Sequence, residues 1–206
     1  MSQLTATQLV LTVHPAVPAR TVKELVALGR RKPGTLTYGS SGVGATPHLA
    51  AELFRSMTGV DMLHVPYKSG VTAMTDLAAG RVDLYFGLIG GITSSLIEAR
   101  RVRAVAVTGL ARHALHPDLP TMVESGLAGY ELTTWYSLLG PPGLPPRVVG
   151  ALNGAVRRII ATPDFASGMV ARGTDPKASS PEELLALMQQ SVRRFGEIVD
   201  RKSTRL

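Results

Sequence analysis

The first apolar run of the chain, Leu9-Val-Leu-Thr-Val13, has the β-branched make-up of a strand. Two prolines, Pro15 and Pro18, then force extended backbone. Thr21, with Glu24 three residues on, forms a capping box for a helix over residues 21–32, which Pro33 and Gly34 end. Residues 35–38 favour a strand that runs into Gly39-Ser-Ser-Gly-Val-Gly-Ala-Thr-Pro47, and behind that loop Leu49, Leu53, Phe54 and Met57 recur at helical spacing. The unit returns twice. Residues 62–67 predict a strand and 71–80 a helix; residues 82–87 predict a strand, 88–93 a loop and 94–101 a helix. Residues 102–109 form a continuous apolar run expected of a strand buried on both faces. Strands alternating with helices predict an α/β fold with right-handed crossovers and mostly parallel sheets.

From 110 to 129 prolines and glycines break the pattern, as in a connection between lobes. A strand-like run over 131–139 ends in the rigid Gly-Pro-Pro-Gly-Leu-Pro-Pro stretch at 140–146, and a helix over 147–162 follows. Residues 164–173 predict a short helix running into a turn, and a last helix opens at Pro181 behind a cap from Ser179 or Ser180. The string Asp200 to Leu206 resembles the translation of a sequencing adapter and is expected to be non-native. Residues 1–8 carry no basic stretch ahead of the apolar run, so no signal peptide is expected within this chain. The longest uncharged stretches, Leu84 to Ile97 and Leu132 to Pro146, are broken by Gly or Pro and fall short of the roughly 20 residues a bilayer span needs, so no direct membrane insertion is expected.

Composition narrows the partners. With 22 Lys+Arg against 15 Asp+Glu the net charge is +7, and without the suspect tail it is 19 − 14 = +5, a balance that suits acidic small molecules. Arg30, Arg31, Arg157 and Arg158 sit where helices end, and no basic groove interleaved with aromatics is present, so nucleic acid is not an expected partner. The absence of cysteine excludes disulfide scaffolds, zinc ribbons and thiol nucleophiles.

In open α/β sheets ligands bind where strands end and helices begin. Three loops qualify: residues 39–47, 67–70 and 87–93. In the first, Gly42, Val43 and Gly44 offer backbone amides, while Ser40, Ser41 and Thr46 offer hydroxyls at a helix N-terminus whose dipole favours an anion. The same residues also suit a loop that only turns the chain and caps the helix. The spacing meets neither the Walker loop nor G-x-G-x-x-G nor G-x-S-x-G. A serine hydrolase or transferase would have to use Ser41 with His48, yet His48 lies one turn into the helix, where capping or packing is the commoner role. Lys68 could neutralise a carboxylate or stay solvated, and Trp135 and Tyr136 could wall a cleft or fill the core. His113 and His116, among prolines, are expected to be solvated. No spacing of His or carboxylates suits a metal, and no cofactor is expected.

The succession HPAVPARTVKEL, LTYGSSGVGATPHLAAELF, MLHVPYKSG, ALHPDLPTMVESGLAGYE and WYSLLGPPGLP resembles the Bug family, the periplasmic substrate-binding proteins of tripartite tricarboxylate transporters. The resemblance covers residues 9–199. It implies a non-enzymatic, monomeric, periplasmic binding protein of the type II Venus flytrap class. Such a protein closes on a small mono-, di- or tricarboxylate and delivers it to membrane permease subunits. It also implies that residues 12–110 form a second lobe, 111–127 an interlobe connection, and 1–11 with 128–199 the remnant of an incomplete first lobe. The ligand-binding set it implies is Ser40, Ser41, Gly42, Val43, Gly44, Thr46, His48, Tyr67, Lys68 and Ser69, gripping a carboxylate through amides and hydroxyls rather than an ion pair. An opposing glycine-rich loop of the family has no match here, so weak or no binding is expected of this chain alone. The family commonly carries a hydroxyl where Ala45 stands, glycine where Ser69 stands and a polar residue where Gly87 stands. An effector-sensing domain of a transcriptional regulator would share the architecture.

Overall fold

The computed structural model describes residues 1–203, the side chains of Glu197 and of residues 199–203 excepted. Its elements run β1 (Ser2–Val13), α1 (Val22–Arg31), β2 (Leu36–Ser40), α2 (Thr46–Thr58), β3 (Met62–Pro66), α3 (Gly70–Ala78) and β4 (Leu84–Leu88). They continue through α4 (Gly91–Glu98), β5 (Arg103–Val107), β6 (Thr133–Leu138), α5 (Pro146–Ile160), α6 (Pro163–Val170), β7 (Asp175–Pro176) and α7 (Pro181–Ser203). The α/β class holds, and the sheet order is β3-β2-β4-β1-β5.

The first strand is longer than its apolar run. β1 begins at Ser2, in a segment made mostly of hydroxyl and amide side chains with Leu4 and Ala6 between them, and it serves two sets of partners. Residues 2–8 pair antiparallel with β6 and β7, while Leu9–Val13 pair antiparallel with β4 and β5. The change of partners falls at Gln8 and Leu9, ahead of the boundary expected between residues 11 and 12. Twelve residues at about 3.4 Å each reach roughly 40 Å, enough to cross both sets.

The expectation of mostly parallel sheets needs correcting to a mixed sheet. β2 pairs parallel with β3 and β4, but β1 lies between β4 and β5 and runs opposite to both. On the β1–β6–β7 side every pairing is antiparallel.

Alternation along β4 sorts its side chains to two faces. Leu84 and Phe86 pack with Leu25 of α1 and Phe54 of α2, whereas Tyr85 packs with Met74 and Leu77 of α3. Burying a leucine or phenylalanine in this way is worth about 1.5–3 kcal/mol. Helices thus cover both faces of the sheet. The capping box at α1 forms as expected, with Thr21 Oγ1 accepting from Glu24 N at 3.2 Å, though Glu24 accepts in turn from Arg20 N at 2.6 Å. Ser180, rather than Ser179, caps α7, accepting from Glu183 N at 3.1 Å while Glu183 accepts from Ser180 N. Ser179 is buried against β1 and accepts from Gln3 N. The proposed non-native tail at 200–206 falls in part outside the described residues; α7 runs through Ser203, and residues 204–206 are not described.

The expectation of solvated histidines fails. His113 is buried, 3% exposed, with Nδ1 accepting from Leu115 N at 3.2 Å, because the segment after β5 folds back beside Val107 instead of lying in solvent. His116 Nε2 lies 3.4 Å from Ser94 Oγ. Trp135 is half-buried and donates through Nε1 to Ser191 Oγ at 3.1 Å, while Tyr136 on the opposite face of β6 is exposed.

Candidate functional site

Because β2, β3 and β4 run parallel, their C-terminal ends and the loops behind them lie along one edge of the sheet, where α2, α3 and α4 begin. The three loops selected from the sequence are these three. The N-termini differ in one respect. α3 is capped by Ser69, whereas α2 starts behind Ala45 and α4 behind Gly90, neither of which offers a side-chain acceptor. In α2, Pro47 has no N–H to be satisfied, and the Thr46 amide heads the helix without a side-chain cap.

The β2–α2 loop is held from within. Gly42 and Gly44 take positive φ, 121° and 79°, which a β-carbon disfavours. Gly42 N donates to Ser40 Oγ at 3.1 Å, Ala45 N to Gly42 O at 3.2 Å, Gly44 N to His48 Nδ1 at 3.1 Å, and Tyr67 N to Ser40 O at 2.9 Å. The amides of Ser41, Val43 and Thr46 take no part in these bonds. Ser40 is fully buried and His48 3% exposed, so both lie under the loop; Val43 is 77% exposed, and Ser41, Gly42 and Thr46 are half-buried.

Beneath the loop is a polar cluster that the sequence did not disclose. Ser40 Oγ lies 2.7 Å from His64 Nε2. The rings of His64 and His48 stack with centroids 4.3 Å apart, and Tyr38 stacks on His64 at 4.8 Å. The Tyr38 hydroxyl donates to Glu52 Oε1, which also meets Arg55 Nη1 at 2.9 Å and faces His48 Nε2 at 3.8 Å. Burial first, and then the Glu52 carboxylate, push the Tyr38 phenol well above its ordinary pKa. The serine–imidazole hydrogen bond is made by Ser40 and His64, whereas Ser41 lies beside the Tyr85 phenol.

In the second loop Ser69 spends its hydroxyl on the α3 cap, accepting from Thr72 N at 3.2 Å. Lys68 is exposed, with no ion pair among the described residues. Tyr67 is half-buried; burial and the neighbouring Asp76 carboxylate raise its pKa.

Two residues were missed. Tyr85 reaches from β4 between the first and second loops: a β-carbon on Gly39 would stand 3.5 Å from its ring, and one on Gly70 2.9 Å from its hydroxyl. Burial pushes its phenol up to about 12, with the Ser41 hydroxyl lowering it slightly. Thr93, 3% exposed, fills the space beside Gly87, where a β-carbon would meet Thr93 Oγ1 at 2.8 Å. Both line a cavity of about 330 Å³ with Gly70, Met74, Gly91 and Arg172. Tyrosine in an apolar strand reads as core, which is why Tyr85 does not stand out, and Thr93 lies in the third candidate loop without a motif to single it out.

These elements can hold an anion by amides, hydroxyls and helix N-termini. Among the described residues no group of His, Asp and Glu could hold a metal, and no helix is long and apolar enough to cross a membrane.

Comparisons with known proteins fit this geometry. The family model described as "Tripartite tricarboxylate transporter family receptor" matches residues 1–203. The UPF0065 protein in the tcbD-tcbE intergenic region of Pseudomonas sp. (strain P51) is 37% identical over 193 residues, covering 92% of this chain and 56% of that protein. Among solved structures, R. palustris Rpa4515 with adipate superposes with a TM-score of 0.90 at 31% identity, over 97% of this chain and 66% of that one. The periplasmic binding protein BugD follows with a TM-score of 0.86 at 30% identity, over 97% and 67%. The chain therefore spans little more than half the length of the Pseudomonas relative, and it belongs to the tripartite tricarboxylate transporter receptor family.

Proposed function

We propose that this chain is the larger part of a periplasmic solute receptor that captures a small organic carboxylate and hands it to the permease subunits of a tripartite transporter. The observation that carries the reading is the uncapped N-terminus of α2 behind a glycine loop, on the same edge as the starts of α3 and α4. Dipole and amides stabilise a carboxylate there by about 0.3–2 kcal/mol per helix end without a buried cation. The adipate held by the R. palustris relative supports the class of ligand. In this reading residues 12–110 form one lobe, 111–127 connect the lobes, 1–11 and 128–199 belong to the other, and no catalysis is involved.

The test is a nuclear magnetic resonance titration of the chain with adipate, malate and citrate, which registers millimolar binding. Saturable shifts of the Ser41, Val43 and Thr46 amides with an acid, and none with uncharged adipamide, are expected. Shifts absent for every acid, in this chain and in a longer receptor that carries the opposing loop, would overturn the reading.

A further inference from the structure

The carboxylate loop is tied at two points to one stacked imidazole pair. His64 Nε2 holds Ser40 Oγ at 2.7 Å at its start, and His48 Nδ1 holds Gly44 N at 3.1 Å near its end. The rings lie 4.3 Å apart and 25° from parallel, so one tie cannot shift without disturbing the other. We propose that His48 and His64 are positioning residues of the ligand loop: a two-ring clamp that draws its inner atoms down and thereby turns the Ser41, Val43 and Thr46 amides outward. The role of the loop rests on the function proposed above; the clamp itself does not.

Chemistry around the rings supports the assignment. Gly44 can donate only to an unprotonated Nδ1, so His48 must carry its proton on Nε2. Glu52 Oε1, 3.8 Å from that nitrogen, favours a proton there. Glu52 is in turn held by the Tyr38 hydroxyl from β2 and by Arg55 one turn along α2. Tyr38 also stacks on His64, so the carboxylate that sets the His48 tautomer and the ring that supports His64 are joined by one phenol. A pair of histidines serving only to fill space would need none of these ties. Register explains how they meet: Tyr38 opposes His64 across the β2–β3 pairing, and His48 descends from the helix directly behind the loop.

The test separates ring atoms from ring bulk. Asparagine carries an acceptor where His48 has Nδ1, and glutamine carries a polar group where His64 has Nε2; leucine preserves bulk alone. Hydrogen exchange of the Gly44 amide in the ligand-free chain is the first reading. Loss of a hydrogen bond to a buried partner should speed exchange about tenfold in His48→Leu, with His48→Asn close to wild type. Adipate affinity is the second reading. About tenfold weakening in His48→Leu and His64→Leu, with His48→Asn and His64→Gln recovering most of it, is expected. Equal exchange at Gly44 in His48→Leu and wild type, or equal weakening in all four variants, would overturn the clamp. If this chain ignores adipate and every other acid, the proposed function is judged on the longer receptor that carries the opposing loop, and the clamp on Gly44 exchange alone.

Discussion

Gly90 and Gly173 lie back to back: a β-carbon on Gly90 would stand 2.0 Å from the Arg172 carbonyl oxygen, and one on Gly173 would stand 2.4 Å from that of Ile89. Both have positive φ, 98° and 77°. The loop before α4 and the turn after α6 therefore meet backbone to backbone, beside the cavity lined by Tyr85 and Thr93. Gly90→Ala and Gly173→Ala should each destabilise by about 2 kcal/mol or more, since strain and backbone overlap add. A lower urea midpoint with unchanged slope is the expected reading; an unchanged midpoint would mean that the two turns part without cost.

Thr108 joins three segments of the chain. Its buried hydroxyl accepts from Leu9 N at 2.9 Å and donates to Leu132 O at 2.5 Å, while its backbone bonds to both residues as well. It stands where β1 changes partners. Thr108→Val should leave a buried amide and a buried carbonyl short of a partner and lower stability by about 2 kcal/mol or more. Thr108→Ser keeps the hydroxyl and should lose about 1 kcal/mol through the missing methyl. Equal midpoints for the two variants would contradict this account.

What was legible in the sequence was local. The Thr21–Glu24 cap, the strand–glycine loop–helix units and the first two candidate loops depend on residues a few positions apart and stand where expected, whereas α4 already begins at Gly91 and shortens the third loop. What was hidden depends on distant pairing. Residues 2–8 form a strand because β6 and β7, more than a hundred residues on, supply its hydrogen bonds. His64 meets Ser40 through the parallel register of β2 and β3, and no spacing within either strand announces it. The sequence suits His48 to capping, packing or the ligand-binding set; its ring accepts from Gly44 N and stacks on His64.

His113 should make stability sensitive to mild acid. Burial holds its imidazole below the ordinary value near 6.5, outweighing the opposite effect of Asp175, and His116 lowers it further. The unfolded chain therefore binds the proton more readily than the folded one, so stability is fully present above about pH 6.5 and falls as pH drops through the folded value. His113→Asn keeps an acceptor for Leu115 N and cannot titrate. Urea midpoints measured from pH 7.5 to 5 should fall more steeply for wild type than for this variant. Parallel curves would show that His113 is protonated equally in both states.

Arg55 and Glu52 should be coupled in stability as well as in geometry. The Glu52 side chain is 8% exposed and its charge is met by Arg55 Nη1 at 2.9 Å, on a side chain that is itself 29% exposed. Removing only the cation leaves a buried carboxylate with one donor fewer, so Arg55→Met should cost about 2–3 kcal/mol, below the range for fully buried pairs. Glu52→Gln keeps the hydrogen bond to Tyr38 while removing the charge that Arg55 offsets. In the double variant the loss should fall well short of the sum, with a coupling of about 1 kcal/mol or more. The cycle is read from urea midpoints of the four proteins. Strict additivity would mean that Arg55 serves Asp61, 3.4 Å from its Nη2, rather than the carboxylate beneath the ligand loop.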